Sequence, residues 1–434
     1  MIRGHFPLVV AAALAAGPAT PARLVAQAAE QYPVIGREEA RRRSLSVAPD
    51  AVSARADVDR AVWERRSALA RLVTPDVTAR GNYQRFSEPF FNIGTFSLSP
   101  TSATAAVEGN LVLLGAGRLY AYRSSRATFA SAEASETAAR FHTELETDRA
   151  YFAVIAEREL ARVASDRLRR AEQQLAVARV RVQAGESIAS DSLQLLLEVN
   201  RARLAVLKSD SALAGARLAL GRRVGLPQPV DALAADTVAP APLPFTEMQA
   251  VTEYLERGPD LKAARASERR ADALLDVQRE HYLPEISLAA SRTAFDTRFF
   301  PSGKMVSLVG LNVSLPIWNG AVRELSVARA RADYTVARAA RADHERGAGE
   351  TVSRSYHGYT TARASIDLAR VGVAAASENF RVQQARYREG ATTILDLLEA
   401  QLALSDAESA LVQARYATQL ALAQIEALLG RRIF

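Results

Sequence analysis

The sequence predicts a mainly α-helical protein with a β-barrel part, built from a duplicated helix-strand-strand-helix-helix unit. Three observations carry that expectation. Landmarks recur in the same order in the two halves, long Ala/Arg-rich runs carry heptad seams, and short stretches alternate apolar with small or polar residues. The stretch "LVGLNVSLPIWNGAVREL" at 308–325 joins two of these patterns. Val309, Leu311, Val313 and Leu315 alternate with Gly310, Asn312 and Ser314, and beyond Asn319-Gly320 a helical run begins.

The repeat organises the chain. "APDAVSARADVDRAVWERRSALARLVTPDVTA" at 48–79 matches "GPDLKAARASERRADALLDVQREHYLPEISLA" at 258–289, so that Pro49 pairs with Pro259 and Pro75 with Pro284. "VEGNLVLLGAGR" from Val107 pairs with "VGLNVSLPIWNGAVR" from Val309. "RVRVQAGESIASD" at 179–191 pairs with "QARYREGATTILD" at 384–396, setting Gly185 opposite Gly390 and Asp191 opposite Asp396. "LALGRRVG" pairs with "ALLGRRIF". Residues 29–224 form the first repeat, the Pro/Ala-rich 225–245 the connector, and 246–434 the second repeat.

Each element follows from its local pattern. The first copy reads as a helix near 50–72, strands near 76–87 and 105–114, and helices near 118–183 and 190–221. The second reads as a helix near 260–281, strands near 284–297 and 305–316, and helices near 321–388 and 394–429. The long helices 118–183 and 321–388 reach about 100 Å at 1.5 Å per residue. Leu397, Leu404, Leu411, Thr418 and Ile425 fall seven apart, with Ala400, Ala407, Ala414, Ala421 and Leu428 three residues after each. Ile366, Val373, Phe380 and Tyr387 repeat likewise, as do Leu168, Leu175 and Val182. These seams specify antiparallel hairpins packed as coiled coils, with alanine letting backbones approach.

Strands of about ten residues are the length that a tilted membrane-spanning strand needs. Four cannot close a barrel, and open edges are not viable in lipid. Either the sheet is a small cap in water or several chains pool their strands, and three copies would give twelve.

Composition narrows the function. Aromatic residues make up 6% of the chain and the net charge is +7, with a sequence pI near 9.8. The arginines are interleaved with acids along the helices, as in "RELARVASDRLRRAEQQ", and no segment joins a basic patch to a groove-reading motif, which argues against nucleic acid. No G-x-S-x-G, H-E-x-x-H or phosphate-binding glycine loop occurs, and His142, His281, His344 and His357 lack metal-ligand spacing, so neither an enzyme nor a metal or cofactor site is expected. Residues 1–28 read as a secretory signal: Arg3, an apolar core from Phe6 to Ala16, and an Ala26-Gln27-Ala28 cleavage pattern. The absence of cysteine excludes disulfides and a lipid-modified cysteine.

The duplicated plan, the junctions "LLGAGR" and "PIWNGAVR", the turns "YREGATTILDLLEAQ" and "VQAGESIASDSLQ", and the closing "LLGRR" closely resemble the TolC-type outer-membrane factor family over essentially the whole mature chain. The resemblance implies a homotrimer, with a 12-stranded β-barrel in outer-membrane lipid continuing into an α-helical barrel across the periplasm. It implies a passive exit duct for efflux or type I secretion, small-molecule or drug efflux foremost, coupled through a periplasmic adaptor to an inner-membrane transporter. The competing reading is a periplasmic coiled-coil scaffold or adaptor that never enters the membrane.

Carried over residue by residue, Asp396 and Glu399 match the acids of the family's narrow periplasmic mouth, although Thr393-x-x-Asp396 is also a capping box. Asp191 and Tyr387 match positions of a link between neighbouring helical hairpins, and Tyr387 also lies on a heptad seam. Gly185, Ser187, Ser190, Gly390, Thr392 and Thr393 match the helix-turn tips where the adaptor docks. Thr392 stands where the family's latch has an arginine, and the first turn, "QAGES", departs from the efflux pattern.

Overall fold

The computed structural model describes residues 32–92, 95–115, 118–185, 188–233, 241–300 and 304–434. The expected signal segment 1–28 and the tip residue Ser187 lie outside the described residues. The first half runs β1 (Val34–Ile35), α1 (Arg37–Val47), α2 (Pro49–Val73), β2 (Asp76–Asn92), β3 (Ser97–Leu114), α3 (Arg118–Gln183) and α4 (Ala189–Arg223). After β4 (Asp231–Ala232), the second half runs α5 (Glu247–Arg257), α6 (Pro259–Glu280), β5 (Glu285–Asp296), β6 (Met305–Ser314), α7 (Val322–Arg346), α8 (Ala348–Arg388) and α9 (Ile394–Leu429). Pro49 and Pro259 open α2 and α6 at the position where a missing N–H costs nothing.

Four strands form one antiparallel sheet in the order β2-β3-β5-β6, so the two repeats meet at β3 and β5. The register separates two faces. Val77, Val107, Leu111, Leu288, Val309 and Leu311 share one face with Tyr83. Thr78, Arg80, Asn82, Glu108, Asn110, Ser287 and Asn312 share the other, where Arg80 and Glu108 pair at 3.4 Å and Val112, Phe295, Val306 and Leu308 are apolar exceptions. Among the described residues, neither β2 nor β6 has a partner on its outer edge.

The structure corrects three expectations. The first hairpin is longer than 76–87 and 105–114: β2 has 17 residues and β3 has 18. Its register shifts between Arg85 and Phe90, and the alternation that marks a strand in the sequence is lost there. The expected single helix 321–388 is two segments meeting at Gly347, whose N–H bonds Asp343 O at 2.8 Å while its carbonyl accepts from Thr351 at 2.9 Å. The connector is not wholly irregular, because β4 pairs in parallel with β1 and buries Val230 and Ala232 in a core with Tyr151, Phe152 and Leu220.

Packing divides along the helices. One apolar cluster joins α3, α4, α8 and α9 near their turns, through Leu175, Leu195, Phe380 and Leu397. Two more lie midway, around Tyr151 and Leu213 and around Tyr254, Tyr359 and Ile425. Between them sits a buried ion network. Asp148 (1% exposed) accepts from Arg41 Nε at 2.8 Å and from Arg37 at 3.0 Å, and Arg41 is itself 2% exposed. Arg432 reaches Glu144 at 2.8 Å, and the backbone N–H of Ile433 donates to Glu426 at 3.1 Å. The network pins α1 and the C-terminal residues to the α3–α9 pair, so the two halves close on each other without disulfides.

Candidate functional site at the helical turns

Two chain reversals, α3 to α4 and α8 to α9, lie at one end of the bundle because the cluster of Ala178, Leu195, Tyr387, Ile394 and Leu397 packs both hairpins side by side. Each reversal needs a residue in the left-handed region, and glycine supplies it: φ is +78° at Gly185 and +71° at Gly390. At the second turn the N–H of Ala391 reaches back to Arg386 O at 2.8 Å, and the Arg386 guanidinium donates to Ala391 O at 3.2 Å.

Thr393 then caps α9. Its hydroxyl accepts the Asp396 N–H at 3.2 Å, while Asp396 Oδ2 accepts the Thr393 N–H at 3.1 Å and its hydroxyl at 2.6 Å. Thr392 adds its hydroxyl to the same oxygen at 2.9 Å. The Thr393 hydroxyl, then the Thr392 hydroxyl, hold the Asp396 carboxyl below the usual carboxylate range, with the Arg386 charge adding to them. The carboxylate nevertheless faces solvent, as does that of Glu399 three residues on. The capping box and an exposed pair of acids therefore coexist in the same residues.

The expected latch residues stand in different settings. Tyr387 is 5% exposed and belongs to the apolar cluster, whereas Asp191 is half-buried in the first turn of α4, next to the exposed Ser190. Arg181 is the residue that sequence reasoning missed. From the last turn of α3 it donates to the backbone carbonyl of Tyr387, and its guanidinium stands 5.3 Å from the Tyr387 ring centre. One arginine thus ties the first turn to the second. Its only signal in the sequence is its place beside the Leu168–Leu175–Val182 seam, where many exposed arginines also sit.

The comparisons agree with this architecture. Residues 40–226 and 250–431, one span in each repeat, match the family described as Outer membrane efflux protein. The chain is 27% identical over 203 residues to the outer membrane protein TolC of Escherichia coli strain K12, covering 44% of this chain and 38% of that one. It is 28% identical over 313 residues to the pyoverdine export outer membrane protein OpmQ of Pseudomonas aeruginosa, covering 69% and 64% respectively. The matched stretches therefore span less than two thirds of these relatives' own length. The crystal structure of the outer membrane protein VceC from Vibrio cholerae superposes with a TM-score of 0.77 at 18% identity, covering 92% of this chain and 97% of that one.

Proposed function

The chain belongs to the outer membrane efflux protein family, and from that membership we propose that three copies form one passive exit duct. It is an outer-membrane protein of TolC type whose helical part extends into the periplasm. The observation that carries the proposal is the sheet: four strands with two free edges, one face mainly apolar and the other mainly polar, leading into α3, a helix about 100 Å long. Open edges are too costly in lipid to stand alone, so β6 of one copy pairs with β2 of the next until twelve strands close. The duct has no energy source of its own. A periplasmic adaptor couples it to an inner-membrane transporter, and small molecules are its foremost cargo.

At the turns, three copies of Asp396 and Glu399 make two rings of carboxylates around a narrow mouth, which favours cations and disfavours anions there. Asp191 and Tyr387 contribute to the link between neighbouring hairpins that keeps the mouth narrow. Gly185, Ser190, Gly390, Thr392 and Thr393 present the backbone turns to the adaptor. Carbonate extraction of membranes followed by single-channel recording tests this reading. A duct stays in the membrane and conducts in planar bilayers, whereas a periplasmic scaffold washes off and conducts nothing.

A further inference from the structure

Along β5, Ile286, Leu288, Ala290, Arg292 and Ala294 share the sheet's apolar face, and Arg292 stands opposite Val107 on β3 and Ser307 on β6. The strand is central in the sheet, and in a lipid-embedded barrel the apolar face is the outer one, so this position lies on the outer wall. Arg292 is exposed, and among the described residues it forms no ion pair. Its guanidinium instead contacts Sδ of Met305 at 3.4 Å. Met305 pairs with Ala294, two residues farther from the helices, so the side chain leans toward the hairpin end of the sheet.

Height decides what it meets. From Glu285 to Arg292 is seven steps, about 23 Å along the strand and about 18 Å along the membrane normal at a tilt near 40°, within an apolar band about 25 Å tall. The Cα therefore lies in the outer part of the band, and an upward-leaning arginine brings its charge to the outer edge. Tyr83 marks that edge: it pairs with Ala103, which pairs with Asp296, and its ring packs edge-on against Phe299 at 5.5 Å. A guanidinium reaching to the level of Met305, between that aromatic edge and the apolar Leu288 and Val309 below, lies close under the anionic headgroups of the outer leaflet with acyl chains beneath.

We propose that Arg292 holds a phosphate of the phosphorylated glycolipid that forms the outer leaflet. A planar guanidinium matches a phosphate with two parallel hydrogen bonds. Phospholipids of the inner leaflet are on the wrong side of the band. The proposal rests on the membrane-inserted duct proposed above.

The test is native mass spectrometry of the detergent-purified wild-type, Arg292→Gln and Arg292→Lys proteins. Each is incubated with diphosphoryl lipid A, with its dephosphorylated form, or with phosphatidylglycerol. Wild type should retain diphosphoryl lipid A about tenfold over the dephosphorylated form, the difference a charge-assisted hydrogen-bonded pair supplies. The Lys variant should keep part of that preference and the Gln variant none. Undiminished preference in Arg292→Gln, or equal retention of phosphatidylglycerol by wild type, overturns the assignment. Carbonate resistance of the membranes from which each protein is extracted, and subunit number in the same mass spectra, keep the two readings apart. Trimers without lipid preference refute the lipid site alone, whereas a wild-type protein that is neither trimeric nor membrane-bound refutes the duct.

Discussion

Arg181 and Tyr387, 206 positions apart in the chain, meet where the two hairpins turn: the guanidinium donates to the tyrosine's carbonyl and covers its ring. This contact makes the end of the bundle one unit rather than two independent loops. Replacing Arg181 with alanine should cost about 1–3 kcal/mol of local stability, the range for a charged hydrogen bond with a cation–π contact. Hydrogen exchange should rise at the amides of 176–184 and 388–396 and not at the central core around Tyr151 and Phe152.

The acids beyond the second turn have a separable role. Glu399 takes no part in the capping box, so Glu399→Gln should reduce cation selectivity while leaving α9 intact. Together with Asp396→Ala it should raise single-channel conductance and weaken block by multivalent cations several-fold, the effect expected when a ring of charge leaves a constriction. Currents unchanged in the double variant would remove both residues from the mouth.

The Asp396 carboxyl should stay charged at pH values where ordinary aspartates titrate, about 3.9, because the Thr393 and Thr392 hydroxyls favour its ionised form. A depressed pKa means that the capping contribution is fully present above the ordinary value and is lost as pH falls through the depressed one. The Asp396 part of the selectivity, measured by reversal potential in Glu399→Gln, should therefore persist below the pH at which ordinary aspartates titrate and be lost only as pH falls through the depressed value. Thr392→Val and Thr393→Val together should move that loss to higher pH.

Much of this was legible beforehand because periodic patterns report which face of an element is buried. The seam residues Leu397, Leu404, Thr418 and Ile425 are buried in the structure, and the alternation that begins at Val309 falls in β6 up to Ser314. What the sequence hid has no period. Past Arg85 the register of β2 shifts, so the aromatic stretch at Phe90 and Phe91 does not read as strand. Gly347 breaks the helix within a uniform Arg/Ala background, and β4 is two residues long. The tie from Arg181 is a long-range contact between two turns, which local composition does not encode.

The buried network around Asp148 should be intolerant of truncation. Asp148→Ala leaves Arg41, 2% exposed, without its closest carboxylate, and removing one partner of a buried pair costs about 3–5 kcal/mol. Urea unfolding followed by circular dichroism should show that loss, whereas the exposed Arg60→Ala, also an ion-pair partner, should change it little.

Gly115 ends β3 with φ of +88°, and a Cβ there would stand 2.6 Å from Pro284 O and 2.7 Å from Glu285 Cα. Gly115→Ala should therefore strain the passage from sheet to helix and cost about 1–3 kcal/mol. A lowered midpoint for thermal dissociation of the assembled protein in detergent checks it.

The most direct measurement is the subunit count of the detergent-extracted wild-type protein, from light scattering with the detergent mass subtracted. Free edges on β2 and β6 leave the sheet to be closed by other copies, and the proposed duct predicts three chains per particle, in material that resists carbonate extraction. A single chain per particle, or a protein recovered in the carbonate wash, would contradict the account.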